Sequence, residues 1–146
     1  MSGALSIVLI TLVVFEPLMS VVHRRLFHGP LWRWHRSHHE SPNAHRLVLN
    51  DLIWVIHFAL SGILILLGAA GIGSGAALYG LAYVLAHDGL AHGRFPVPSV
   101  LRRTRLFRRL IRAHHLHHRT SSGSLGAVPF GIYSALVELR LADRES

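Results

Sequence analysis

The sequence predicts an all-α integral membrane protein: three to four transmembrane helices with a His-rich cap on their cytoplasmic ends. Three observations lead there. The 146 residues are 51% apolar and only 15% charged, with a mean hydropathy of +0.39, and the apolar residues gather into three long runs. Thirteen histidines are present, most of them at the ends of those runs. Cysteine is absent and every basic side chain is arginine. A chain of this length forms one domain, residues 1–146. Its apolar content argues against disorder. The lack of cysteine excludes a disulfide framework, a cysteine zinc site, an iron–sulfur cluster and a thiolate-ligated haem.

A spanning helix needs about 20 mostly apolar residues. Residues 4–22 come close, with Glu16 as their single charge. They lack the basic leading region and small-residue cleavage site of a signal peptide and contain Glu16-Pro17, so they read as a retained helix. Gly29-Pro30 breaks the chain just beyond. A short helix over 31–39 can follow, since proline suits a first helical turn. Ser-Pro-Asn at 41–43 is a turn. Residues 52–70 form the second apolar run, with no formal charge and one histidine, His57. The glycine-rich 71–75 reads as the outer turn. The third run, 71–86, is completed if the helix continues through His87. Small residues over 71–80 would leave room for a long lipid between helices. Gly93 to Pro98 breaks the chain again, and Ser99 can cap a helix over 100–118. Residues 120–126 read as a loop and 142–146 as a polar tail. The apolar stretch 128–137 contains Pro129 and Gly131, is too short to cross, and reads as interfacial or re-entrant. A soluble helical bundle with a buried hairpin is the competing arrangement, but the chain has little polar surface to cover three such runs.

Arginine sets the orientation. Arg24, Arg25, Arg33, Arg36 and Arg46 lie between the first two runs, and the 71–75 turn has none. Arginine-rich short loops stay cytoplasmic, so the first helix runs inward and everything after Ala86 is cytoplasmic. From Gly89 through Val137 there is no acidic residue, while eight arginines occur: 94, 102, 103, 105, 108, 109, 112 and 119. Such a stretch suits anionic lipid headgroups or an acidic redox partner. Nucleic acid would also suit a basic patch, but a membrane setting argues against it.

Ten histidines fall into four clusters. His23 and His28 form H-x4-H; His35, His38 and His39 form H-x2-H-H; His87 and His92 repeat the first spacing; His114, His117 and His118 repeat the second. On a helix, positions i, i+3 and i+4 share a face, so H-x2-H-H places three imidazoles on one arc. That arc continues an apolar stripe through Phe107 and Ile111, as a buried metal requires. H-x4-H differs: at 3.6 residues per turn its rings stand about 140° apart. Either the helix breaks between them, for which Gly29 and Gly93 are well placed, or the two rings reach different ions. Imidazole suits iron, zinc, copper and nickel. A structural zinc needs only four ligands; ten histidines shared by two ions give five each and leave room for a further ligand at octahedral iron. A cluster rich in His, poor in carboxylate and free of Cys at a membrane face fits a non-haem di-iron oxygen-activating centre best. His45, His57 and His115 fall outside the pattern and read as ordinary satisfied histidines.

Four other polar residues are candidates near the site. Asp88 directly follows a ligand candidate and can accept the free N–H of an imidazole or pair with an arginine. Glu16, two turns above His23, is a suspect as an ionisable group in a membrane segment, as a buried partner of a ligand or of the fold. Asn50 and Asp51 precede the second long helix, where they can cap it or order a ligand.

The order of the four clusters resembles the membrane fatty-acid hydroxylase/sterol desaturase superfamily. HRSHH at 35–39, Asn-Asp at 50–51, HDGLAHGRFP at 87–96 and HHLHH at 114–118 narrow the resemblance to its bacterial β-carotene hydroxylases, with Phe95 standing where that pattern often has Trp. The match is spread over about residues 16–133. The resemblance implies an integral di-iron monooxygenase using O2 and electrons from a ferredoxin-type donor, with its ten histidines as iron ligands and zinc as a possible substitute in a preparation. It implies hydroxylation of carbon 3 of the β-ionone rings, from β-carotene through cryptoxanthin to zeaxanthin. A fatty acyl, sterol or other carotenoid substrate would need the same metal site. A His-rich metal transporter fits less well, because transporters carry ligands near the bilayer midplane and these clusters sit at its edge.

Overall fold

Each apolar run becomes a helix. The computed structural model describes residues 3–42 and 44–119. Helix α1 spans Gly3–Val22, passing through Pro17, and continues into a π-helical turn, His23–Phe27. Next come α2, Trp32–Glu40, and α3, Asp51–Leu66. Helix α4, Ala70–Val84, continues into a second π-helical turn, Leu85–Ala91. The described chain ends with α5, Ser99–Arg103, and α6, Arg105–Arg119. No strand occurs among the described residues. The expected loop at 120–126, apolar stretch at 128–137 and tail at 142–146 lie outside the described residues, as does Asn43 of the 41–43 turn.

The outer turn is not where glycine content places it. The chain reverses just before α4, at Gly68 with φ +87°, and Gly71, Gly73 and Gly75 belong to α4. Their lack of a side chain lets neighbouring helices approach. A Cβ on Gly71 would lie 2.8 Å from the Ile7 side chain, one on Gly75 2.7 Å from Thr11, and one on Gly73 2.6 Å from the Ser61 carbonyl. Small residues serve here as helix-packing surfaces, and the segment expected to leave room for a lipid is filled by α1 and α3.

The last helix also differs from a single element over 100–118. It breaks at Thr104, whose backbone is extended with ψ 145°. The Thr104 hydroxyl accepts the Phe107 N–H at 3.3 Å, the capping role expected of Ser99, which instead sits within α5.

Helix α4 packs against both α1 and α3. The buried core, Met19, Phe27, Ile53, Trp54, Tyr79 and Tyr83, collects toward the histidine-bearing ends of these helices. The outward faces are apolar and exposed: Ile10, Val13 and Val14 on α1, Val55 and Leu60 on α3, Leu78 and Leu81 on α4. From Gly3 to Phe27 the helix runs continuously for 25 residues, long and apolar enough to cross a membrane; α3 is apolar but shorter.

Candidate metal centre

The π-helical turns settle how H-x4-H works. A turn closed by i→i+5 bonds stacks residues five apart, as an α-turn stacks residues four apart. In each turn that bond joins the two histidines themselves: His28 N–H to the His23 carbonyl at 3.1 Å, and His92 N–H to the His87 carbonyl at 3.0 Å. Neither expected alternative is needed, because the helix widens where it was expected to break. Glycine follows directly in both cases. A Cβ on Gly29 would collide with the Arg25 carbonyl, and Gly93 takes φ +64°, a conformation that favours glycine.

The ten patterned histidines assemble into two adjoining groups. His23, His28, His35 and His117 each offer a ring nitrogen within 4.8 Å of the others, and so do His38, His92, His114 and His118. His39 adds to the first group, its Nε2 lying 3.1 Å from that of His35. His87 adds to the second, its ring 4.4 Å from His38 and 4.5 Å from His114. The groups meet where the His39 and His118 rings lie 4.4 Å apart.

Each H-x2-H-H is therefore divided. His35 and His39, four apart on α2, face the first group, while His38 faces the second. His114 and His118, four apart on α6, face the second, while His117 faces the first. The arc of three imidazoles is wide enough to serve two centres, and each half of the chain lends one histidine to the other.

The donor set fits metal ions. Nε2 atoms converge on one another: His23 with His35 at 3.1 Å, His28 with His117 at 3.2 Å, His38 with His118 at 3.0 Å and His92 with His114 at 2.6 Å. Seven of the ten, His23, His35, His38, His87, His92, His114 and His117, are only 1–7% exposed. Burial, reinforced by neighbouring imidazoles, lowers His35, His39 and His118 to about 3, and His92 and His117 to about 2. These rings are neutral at physiological pH, the form that binds metal. The Nε2 of His87 is buried with no hydrogen-bond partner, while its Nδ1 is engaged by Asp88. A buried polar atom without a partner is costly, and a metal ion at the second group would satisfy it.

The flanking candidates take distinct places. Asp88 fulfils both readings: Oδ1 accepts from His87 Nδ1 at 2.7 Å, and Oδ2 lies 3.4 Å from Arg94 Nη1. Asn50 orders a ligand candidate, its Oδ1 accepting from His35 Nδ1 at 2.9 Å, and makes no side-chain cap to α3. Asp51 accepts the Val48 N–H at 2.9 Å and binds Arg94. Glu16 lies beside Tyr79, between α1 and α4. The three unpatterned histidines each rest on a backbone carbonyl: His45 on Arg94, His57 on Ala76 and His115 on Ala91.

Sequence reasoning missed two features. Tyr83 stacks on His87 at 4.6 Å and packs against Trp54, tilted by 35°, at 4.2 Å, an aromatic floor beneath the second group. Arg94, one of eight arginines in an acid-free stretch, has an 11%-exposed side chain inside the cap. Its only signal was its position inside HDGLAHGRFP.

The family described as fatty acid hydroxylase matches residues 8–139. A β-carotene hydroxylase of Paracoccus sp. (strain PC1) is 44% identical over 140 residues, covering 90% of this chain and 85% of that protein. One of Pantoea ananas is 41% identical over 135 residues, 88% of this chain and 75% of that protein. A chloroplastic β-carotene hydroxylase of Capsicum annuum is 35% identical over 127 residues, 80% of this chain but 39% of its own length. No solved structure matches.

Proposed function

The chain belongs to the fatty acid hydroxylase family, and from that premise we propose that it is a membrane-embedded β-carotene 3-hydroxylase with a di-iron centre. The observation that carries this reading is the pair of adjoining all-histidine groups, together with relatives named β-carotene hydroxylase that match over most of the chain. Imidazole donors with no carboxylate among them suit iron. His23, His28, His35, His39 and His117 would hold one ion, and His38, His87, His92, His114 and His118 the other. When bound, the ions supply O2 activation: one oxygen atom enters a ring C–H bond and the other leaves as water, at the cost of two electrons and two protons from outside.

The chain's own residues bind, orient and exclude water. Asn50 and Asp88 hold the Nδ1–H of His35 and His87 and so present Nε2 inward. Burial keeps the imidazoles unprotonated and the centre dry. The exposed apolar faces of α1, α3 and α4 would meet lipid, in which a carotenoid can approach laterally. The arginine-rich segments flanking the cap support a cytoplasmic orientation for the centre, from which a ferredoxin-type protein would deliver electrons.

Expression in a β-carotene-producing bacterium, followed by pigment chromatography, tests the proposal. Cryptoxanthin and zeaxanthin are expected. Unchanged β-carotene beside well-expressed, iron-loaded protein would redirect the reading to a fatty acyl, sterol or different carotenoid substrate.

A further inference from the structure

One guanidinium ties together the outer faces of both histidine groups. Arg94 donates through Nη1 and Nη2 to the two carboxylate oxygens of Asp51, at 2.6 and 2.7 Å. Nη1 also reaches Asp88 Oδ2 at 3.4 Å. Nε donates to the Ala44 carbonyl at 3.0 Å and Nη2 to the Arg46 carbonyl at 3.2 Å. From this hub, two arms run inward. On one, Asp88 accepts the Nδ1–H of His87. On the other, Asp51 pins the start of α3, where its chain neighbour Asn50 accepts the Nδ1–H of His35. Asn50 is buried, and its own N–H donates to Ser37 Oγ at 3.0 Å.

The two arms end differently. A carboxylate stands behind His87 and a neutral amide behind His35. A carboxylate on the outer N–H raises the basicity of the ligating nitrogen and favours the more highly charged ion; an amide orients the ring without adding charge. We propose that Arg94 is a positioning residue for both metal positions, holding Asp88 behind His87 directly and Asn50 behind His35 through Asp51, and that the carboxylate on one arm and the amide on the other make the two positions unequal. This rests on the di-iron reading. An arginine is required, because the fork grips Asp51 with both ends while still facing Asp88, whereas lysine offers a single point charge.

The test is Mössbauer spectroscopy of the full chain in lipid nanodiscs, loaded with 57Fe and kept ferrous, with iron retention measured against a chelator. The wild type is expected to give two distinct doublets of equal area. Asp88→Asn should move one doublet and leave the other; Asn50→Asp should move the other. Arg94→Gln should move both and weaken iron retention about 10–100-fold, and Arg94→Lys should not restore it. A well-folded Arg94→Gln protein with wild-type doublets and retention would reduce Arg94 to a surface clamp and overturn the proposal. If Arg94→Gln fails to fold, the near-isosteric Asp88 and Asn50 variants decide: doublets that respond together, or not at all, overturn it. A wild type that takes up no iron instead overturns the di-iron reading on which it rests.

Discussion

The backbone N–H of His92 donates to the carbonyl of His87, five residues back, at 3.0 Å. The widened turn thereby sets two ring nitrogens toward one group, which an α-turn at this spacing could not do. One additional alanine between Gly89 and Leu90 would break this register and rotate His92 by about 100°. Iron per chain is expected to halve, measured by metal analysis, with the first histidine group left loaded. An insertion variant that kept its full complement would show that His92 is dispensable to the centre.

The exchange of histidines between halves makes His38 and His117 sensitive positions, since each stands among histidines from the other half of the chain. Alanine at either is expected to abolish hydroxylation, and to weaken iron retention by at least the 10–100-fold typical of losing a mere supporting partner. His57 is the contrast. It donates to the Ala76 carbonyl at 2.9 Å, a bond worth about 1 kcal/mol, and His57→Ala should lower stability slightly while pigment analysis still finds product. Wild-type activity in both His38→Ala and His117→Ala would refute the assignment of ligands.

Much of this was readable in the chain. The apolar runs located α1, α3 and α4, and the repeated spacings singled out the ten histidines that the fold gathers. The continuation of α4 through His87 followed from the length a span requires. Three things were not readable. A π-turn is a rare solution to one residue too many, and periodicity alone offers only a break or divergent rings. The sharing of each H-x2-H-H between two groups depends on how α2 and α6 face one another, a tertiary relation. Gly71, Gly73 and Gly75 carry the composition of a turn, yet glycine serves equally where two helices touch, and only the positions of Ile7, Thr11 and Ser61 distinguish the cases.

That helix contact can be tested at Gly75. A Cβ there would lie 2.7 Å from the Thr11 side chain and 3.1 Å from the Val8 carbonyl, and backbone cannot give way cheaply. Gly75→Leu should force α1 off α4 and destabilise the protein by about 1–3 kcal/mol, the usual cost of overpacking. A lowered midpoint of thermal unfolding in detergent is the expected readout. Gly62, where an added Cβ meets nothing within 4 Å, is the control, and Gly62→Ala should be neutral or stabilising because alanine is the better helix former. Equal midpoints for Gly75→Leu and the wild type would mean that α1 and α4 are not closely packed in the membrane.

Acid should dismantle the metal-free cap well above the range in which carboxylates titrate. The folded chain holds His35, His39 and His118 at about 3, and His92 and His117 at about 2, first because they are buried and then because other imidazoles crowd them. An unfolded histidine titrates near 6.5. Below that value the unfolded state binds more protons than the folded state, so stability falls with falling pH. The contribution is fully present above about pH 6.5 and is lost progressively toward pH 2–3, with a limiting slope of about 1.4 kcal/mol per pH unit for a buried group such as His117. Several such groups acting together make the loss steep. Thermal unfolding of the metal-free protein should therefore be insensitive to pH between 7 and 8 and drop sharply between 6.5 and 5. On the proposed di-iron reading, bound iron would occupy the lone pairs that protons would take, so the loaded protein should withstand the same acidification better. A metal-free midpoint that stayed level from pH 8 to pH 5 would mean that the imidazoles are solvated and that the two groups are not the dry, preformed sites their geometry describes.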